Sequence, residues 1–114
     1  KVSLAVLHSA HGLVLAQKRQ WEGAARALES ALSYTDEAVL HQNLGMMYME
    51  QGRRADADAQ FRLAVELGNT DPILLHNIAS YDLMRFQASR HTDEQALEEA
   101  LHRSIGLIDG GRSS

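Results

Sequence analysis

The side chains best able to do chemistry in this chain are six histidines, together with fifteen aspartates and glutamates. His8 and His11 are three residues apart, so a helix would place both on one face. No carboxylate is near them in sequence, and the chain has no cysteine. A zinc site needs three or four ligands. The sequence therefore predicts no bound metal, and histidines that pack in the interior or face water.

The acidic residues do not form a convincing catalytic pair. Asp56 with Asp58, and Glu98 with Glu99, are so close in sequence that a helix points them to different faces. General acid–base catalysis needs both groups within reach of one substrate. The chain also lacks a glycine-rich phosphate loop and a nucleophile turn. We expect no catalytic residue and no cofactor, and hence not an enzyme.

Composition narrows the class of partner. The net charge is −4 and aromatic residues make up 5% of the chain, which argues against a nucleic-acid partner. No apolar run approaches the roughly 18 residues that span a bilayer, so we expect no direct membrane insertion. Arginine outnumbers lysine and alanine is abundant, which suggests a bacterial origin. The chain begins with Lys1, which suggests a piece of a longer protein, and the compartment stays open between cytoplasm and periplasm.

The elements that must position these residues are predicted to be helices throughout, because apolar residues recur at helical spacing. Gly52 and Gly68 are expected to end helices in the left-handed conformation, and Asp71-Pro72 to start one. Thr92 with Gln95 three residues later reads as a capping box for a last helix. The predicted helices cover about residues 2–18, 21–33, 37–51, 54–67, 72–89 and 93–109, followed by a flexible tail at 110–114.

The chain also matches itself at a fixed offset of 33 residues. Gly12, Ala24, Leu28 and Ala31 recur as the set Gly45, Ala57, Phe61 and Ala64. A period of 20–50 residues is typical of stacked supersecondary units that bury a core only against one another. Helical hairpins stacked in this way would form a superhelix in which each helix pair is antiparallel.

The second unit carries a family resemblance. It reads His41-x2-Leu44-Gly45-x2-Tyr48, followed by Ala57-x3-Phe61-x2-Ala64. This resembles the tetratricopeptide repeat (TPR) pattern W-x2-L-G-x2-Y…A-x3-F, with histidine in place of tryptophan. The first unit matches more weakly, and the third matches least, at Ile78-Ala79. The positions implied to be structural are Gly12, Ala24, Ala31, Leu44, Gly45, Tyr48, Ala57, Phe61, Ala64 and Ala79.

The resemblance implies an all-α, right-handed superhelix of three antiparallel hairpins, that is, six helices. The array would be a single domain over residues 1–109, with repeats at about 3–35, 36–69 and 70–108. The family binds partners in a concave groove lined by the first helix of each pair. Here that groove would contain Val6, Ser9, Ala10, Leu13, Gln17, Val39, Gln42, Asn43, Met46, Met49, Glu50, Ile73, His76, Asn77, Ser80, Leu83 and Met84.

This groove would be largely uncharged, with methionines on its floor and amides on its walls. Methionine adapts to irregular apolar surfaces, and amides can bond both donors and acceptors of a peptide backbone. One TPR subclass grips a C-terminal carboxylate with cationic residues, but Ser9, Ile73 and Asn77 stand where cations are needed. We therefore expect an apolar or amphipathic segment of a partner protein, although the methionines could instead be ordinary packing residues between helices.

Two functions stay open at this stage. The first is a protein-interaction scaffold within a bacterial assembly, secretion or exopolysaccharide-export system. The second is a structural spacer or self-assembly module that associates through the apolar first helix. The last predicted helix has an apolar stripe and a polar face. The polar residues expected to face away from the stripe are Glu94, Glu98, Glu99, His102 and Arg103. The stripe is made of Ala96, Leu97, Ala100, Leu101, Ser104, Ile105 and Ile108.

Overall fold

The computed structural model describes residues 3–113, with side chains described as far as residue 107. It confirms the all-α fold class, and the described part of the chain contains no strand. The helices are α1 (Leu4–Gln17), α2 (Trp21–Leu32), α3 (Ala38–Glu50), α4 (Arg54–Glu66) and α5 (Pro72–Ser113). The described residues up to Tyr81 form one compact unit, and those from Asp82 onward form a second.

Two glycines that the sequence predicted as stop signals follow α3 and α4, whereas the residues that bound α1 were not singled out by the sequence. Ser3 caps α1, because its Oγ accepts a hydrogen bond from the Val6 amide at 3.2 Å. Gly52 and Gly68 follow α3 and α4 with φ of 75° and 96°, the left-handed conformation that glycine adopts without strain. Arg19 takes the same conformation after α1, with φ of 59°.

The start of α5 is fixed as the sequence predicts. Pro72 is its first residue, where no amide donor is needed. The Asp71 Oδ1 atom accepts a hydrogen bond from the Ile73 amide at 3.0 Å, and Asn69 Oδ1 accepts one from the Asp71 amide. The bond from the Ile73 amide comes first among the causes that lower the pKa of Asp71 below its usual range, followed by the bond from Gln42.

In the first unit, α1 packs on α2, α3 packs on α4, and α2 packs on α3. Short loops between packed helices make each hairpin antiparallel. The resulting core is built from small residues where helices cross and bulky residues between them. Its buried members are Ala25, Leu28, Ala31, Leu40, Leu44, Tyr48, Ala57, Phe61, Ala64 and Leu74.

The positions predicted to be structural are buried, with one exception. Gly12, Ala24, Ala31, Leu44, Gly45, Tyr48, Ala57, Phe61 and Ala64 are all buried. Ala79 is exposed. This residue should be covered by a sixth helix, and α5 continues without turning back to supply one.

The predicted division of residues 72–109 into two helices is wrong. A single helix of 42 residues, α5, runs through the expected break, so the described residues form five helices rather than six and no third hairpin. Thr92 does not cap a helix, because its Oγ1 donates to the Ala88 carbonyl one turn back. Residues 73–105 contain no glycine or proline, so nothing in that stretch forces the backbone out of the helix.

Residues 110–113 of the predicted tail are the last residues of α5, and their side chains fall outside the described residues. Whether this segment is flexible stays a prediction, as do the proposed repeat boundaries.

Candidate functional site

The groove predicted from the sequence can be located first on α3. We call Val39, Gln42, Asn43, Met46, Met49 and Glu50 the groove face of α3. Val39, Met46 and Met49 are 50%, 44% and 42% exposed, although they are apolar. Their spacing of seven and three residues places them on one side of the helix. The opposite side of α3 is buried through Leu40, Leu44 and Tyr48, so the methionines Met46 and Met49 lie at the surface.

The corresponding side of α1 is also exposed and apolar. Val6 and Leu13 are 55% and 49% exposed, and Ala10 and Gln17 are exposed with them. Ser9 is half-buried, and its hydroxyl donates to the Val6 carbonyl. This surface is continuous along α1 because its members follow one another at intervals of three or four residues.

The beginnings of α1 and α3 enclose an open cleft of about 480 Å³. Val6 and Ser9 line it from α1, and Leu40 and Glu37 line it from the start of α3. Two predicted groove residues of the first repeat therefore face a space shared with the second. The complete lining is Ser3, Leu4, Ala5, Val6, Ser9, Tyr34, Thr35, Glu37 and Leu40.

Sequence reasoning missed the loop residues of this cleft. Tyr34 and Thr35 connect α2 to α3 and are not in either predicted groove helix. The Tyr34 ring is 57% exposed and stacks on the His8 ring, with centroids 5.8 Å apart and planes inclined by 9°. The one available signal was an aromatic residue at the end of a helix, which is too common to single out a site.

Gln42 has a different role from the other groove-face residues. Its Nε2 donates to Asp71 Oδ2 at 2.9 Å, and its Oε1 accepts a bond from Asn69 Nδ2 at 2.9 Å. Both ends of the amide therefore hold the α4–α5 loop. This loop in turn fixes the first turn of α5, so Gln42 positions one groove helix against another.

A second polar cluster joins α3 to its neighbours through His41, which is only 8% exposed. Its Nε2 lies 2.6 Å from Asp36 Oδ1, and its Nδ1 lies 2.6 Å from Gln60 Oε1. His41, which stands where the TPR pattern has tryptophan, thus connects the α2–α3 loop to α4 through its side chain. His41 is accordingly a packing residue whose two ring nitrogens each have a polar partner within hydrogen-bond distance.

Tyr48 links α3 back to α2. Its hydroxyl donates to Glu29 Oε1 at 2.6 Å, and the Arg53 guanidinium lies 4.2 Å from the centroid of its ring. Burial, followed by the bond to the Glu29 carboxylate, raises the pKa of Tyr48 to about 12. The neutral phenol is the form that the fold stabilises.

This shift predicts a loss of stability in alkali. The contribution of Tyr48 is fully present below the ordinary tyrosine pKa and disappears as pH rises from about 10 towards 12. When the pH is raised from about 9 to 11, the free energy of unfolding in urea should fall by roughly 1 kcal/mol more for the wild type than for Tyr48→Phe. An equal fall in both proteins would contradict the assignment of this loss to Tyr48. Tyr34→Phe is the matched control and should lose as much stability as the wild type.

The remaining predicted groove residues belong to α5 and divide between the two units. In the first unit, Ile73, His76 and Ser80 are exposed and Asn77 is half-buried. In the second unit, Leu83 is exposed and Met84 is half-buried. On α3, Asn43 is half-buried and Glu50 is exposed.

No group of three or more histidine, cysteine or acidic side chains is placed to hold a metal ion within the described residues. No helix among them is both long enough and apolar enough to cross a membrane.

Comparison with known proteins adds no family assignment. No protein-family model matches the chain, and a search of curated proteins also gives no match. The function must therefore be argued from the chain's own residues and geometry.

Proposed function

We propose that this chain is a protein-interaction module and not an enzyme, and that its two hairpins stack with the right-handed sense of a TPR array. In this proposal α5 begins a third repeat. The concave side, formed by α1, α3 and the first turns of α5, binds an apolar or amphipathic segment of a partner protein. The observation that carries the proposal is the exposed apolar row of Val39, Met46 and Met49 on α3.

This row favours an apolar ligand because the fold does not require apolar side chains at these exposed positions. They contribute little to the core, which the other side of α3 supplies. An exposed apolar patch on a folded domain commonly marks a binding surface. Methionines suit such a surface, since their unbranched side chains adapt to irregular ligands.

The cleft between α1 and α3 supports the same function. A space of about 480 Å³ can accept one or two apolar side chains of a bound segment. Ser3, Thr35 and Glu37 at its rim offer hydroxyl and carboxylate groups to that segment. We propose that the cleft receives an anchoring side chain while the groove face of α3 contacts the rest of the ligand.

The polar bonds around the groove make it largely preformed. Gln42 fixes the start of α5, His41 fixes the α2–α3 loop, and Tyr48 fixes α3 against α2. A surface that is already ordered loses little conformational entropy on binding. We infer that partner binding involves side-chain adjustment and no refolding of the first unit.

The test uses a displayed library of random peptides selected against the wild-type chain. Enriched peptides should be apolar or amphipathic. Their affinity should fall by roughly tenfold or more for Met46→Glu, because a charge on the groove face must be desolvated. Leu63→Glu is the matched control: Leu63 is an apolar residue of α4 that is 38% exposed, and it lies outside the groove helices.

Two results would overturn the proposal. One is a library from which no peptide is enriched. The other is a set of peptides that bind Met46→Glu as tightly as the wild type, while circular dichroism shows the variant to be folded. The cellular setting that we propose, a bacterial assembly, secretion or exopolysaccharide-export system, follows from the TPR resemblance alone.

A second candidate function is self-assembly through α1. We call Leu7, His11 and Val14 the outer face of α1. Leu7 and Val14 are 52% and 47% exposed, on the side away from Gly12, which packs against α2. A concentration-dependent mass that Leu7→Glu abolishes would favour this function, and an unchanged mass would remove it.

A further inference from the structure

One face of α5 in the second unit carries exposed apolar side chains at helical spacing. Its members follow one another so that they stay on one side of the helix. They are between 54% and 63% exposed. The apolar residues of this α5 stripe are Leu83, Phe86, Leu97, Leu101 and Ile105.

Two charged residues interrupt the α5 stripe at its middle. Arg90 and Glu94 fall between Phe86 and Leu97 on the same face, at the helical spacing of the apolar residues. The prediction that Glu94 faces away from the apolar residues of this helix is therefore wrong, because in the continuous α5 it lies within about a fifth of a turn of the Leu97 and Leu101 side. Arg90 Nε donates to Glu94 Oε1 at 3.1 Å, and the two side chains are 70% and 64% exposed. A solvated helix face needs no apolar residues, and a buried one would normally exclude charges.

The order of the inner residues is symmetric about Thr92. Going outward in either direction, the stripe has one charged residue and then two apolar residues, and on the C-terminal side Ile105 adds a third apolar residue. The charge is positive on the N-terminal side, at Arg90, and negative on the C-terminal side, at Glu94. Such an order is self-complementary only when a second identical helix runs in the opposite direction.

We propose that a second copy of this chain packs antiparallel along the α5 stripe, with the two-fold axis at the level of Thr92, whose own side chain is on the opposite face of the helix. Residues equally far from Thr92 then face each other across the pair. Leu83 faces Leu101 of the second copy, Phe86 lies within one residue of facing Leu97, and Arg90 faces Glu94. Every pair occurs twice because the interface is isologous.

Charge selects this arrangement over its alternative. In a parallel pair, Arg90 would face Arg90 and Glu94 would face Glu94, and like charges across an interface repel. The antiparallel pair instead forms two Arg90–Glu94 pairs of opposite charge near the axis. The apolar residues are then buried on either side of these pairs along the helices. Charged residues of this kind commonly fix the direction of paired helices.

The proposed dimer also accounts for the missing third hairpin. Two short helices meeting near Thr92 would have paired the same residues within one chain. Because α5 is continuous, those pairs can form only between chains, as in an exchange of identical elements between copies. The dimer does not depend on what the groove binds, so either proposal can fail alone.

Charge exchange tests the arrangement directly. By sedimentation equilibrium, the wild type should dimerise, while Arg90→Glu and Glu94→Arg should each raise the dimer dissociation constant roughly tenfold or more. An equal mixture of the two variants should form a 1:1 heterodimer, because every facing pair is then of opposite charge. Leu7→Glu, on the outer face of α1, should leave the α5 dimer intact.

Three results would overturn the proposal. The first is a wild type that stays monomeric up to about 1 mM. The second is dimerisation that neither single variant weakens. The third is a mixture that remains monomeric although circular dichroism shows both variants to be helical.

Discussion

Replacing Phe61 by alanine is expected to lower the free energy of unfolding by roughly 3–5 kcal/mol. Phe61 is only 2% exposed and is among the largest fully buried side chains of the described chain. Its ring lies where α3 and α4 cross, against Gly45. Removing it leaves a cavity that the surrounding helices can fill only in part. Urea unfolding followed by circular dichroism measures the change.

The control for this prediction lies on the same helix. Leu63 is 38% exposed, so Leu63→Ala should cost less than about 1 kcal/mol. The total free energy of unfolding of a small domain is about 5–15 kcal/mol, so the loss in Phe61→Ala is a large part of it. Phe61→Leu is a milder variant whose unfolding midpoint stays measurable. Equal costs for Phe61→Ala and Leu63→Ala would show that the α3–α4 crossing is not packed as described.

Gly45→Ala is expected to destabilise the protein by roughly 1–2 kcal/mol, although alanine is the better helix former. A Cβ atom at Gly45 would stand 2.5 Å from Phe61 Cε1 and 2.7 Å from Phe61 Cδ1. Phe61 is too enclosed to turn aside, so α3 and α4 must separate. The measurement is again the free energy of unfolding in urea.

Two comparisons make this prediction specific to the contact. At Gly23 an added Cβ would meet only Leu15 Cδ1, at 3.4 Å, so Gly23→Ala should stabilise the protein by roughly 0.5–1 kcal/mol. In a Phe61→Leu background, Gly45→Ala should cost less than in the wild type, because the clashing ring is gone. A stabilising Gly45→Ala, or no coupling to Phe61, would contradict the close approach.

The first four helices could be predicted well because local signals and packing agree. Gly52, Gly68 and Asp71 mark helix ends through backbone conformation and side-chain caps. The 33-residue repeat located Gly45 and Ala57 where α3 crosses α4, since only small residues permit such a crossing. These residues act through short-range geometry, which a sequence pattern records directly.

The break in α5 was predicted wrongly because its signal was weak and local. A capping box contributes about 1 kcal/mol, and it operates only if the preceding backbone leaves the helix. Thr92 bonds the Ala88 carbonyl within the helix instead. Whether residues after Thr92 fold back depends on contacts with residues far away in sequence, and a local pattern does not contain that information.

The exposure of the methionines on α3 was predictable from the sequence, and the polar bonds beside them were not. The repeat register placed Met46 and Met49 on the side of α3 away from the core, and both are exposed; that this side binds a partner stays a prediction. The use of Gln42 to hold Asn69 and Asp71 does not follow from that register, because those bonds join residues 27 and 29 positions apart. Only the packed structure shows which amides are already engaged and which surfaces remain for a ligand.

The most direct test of the groove is an NMR titration of the ¹⁵N-labelled chain with a peptide selected from the library. The groove account predicts that amide shifts concentrate at Val39, Met46 and Met49, and at Val6 beside the cleft, with little change on α4. Met46→Glu should abolish those shifts at the same peptide concentration. Shifts confined to the outer face of α1 or to the α5 stripe would contradict the account and place the binding surface elsewhere.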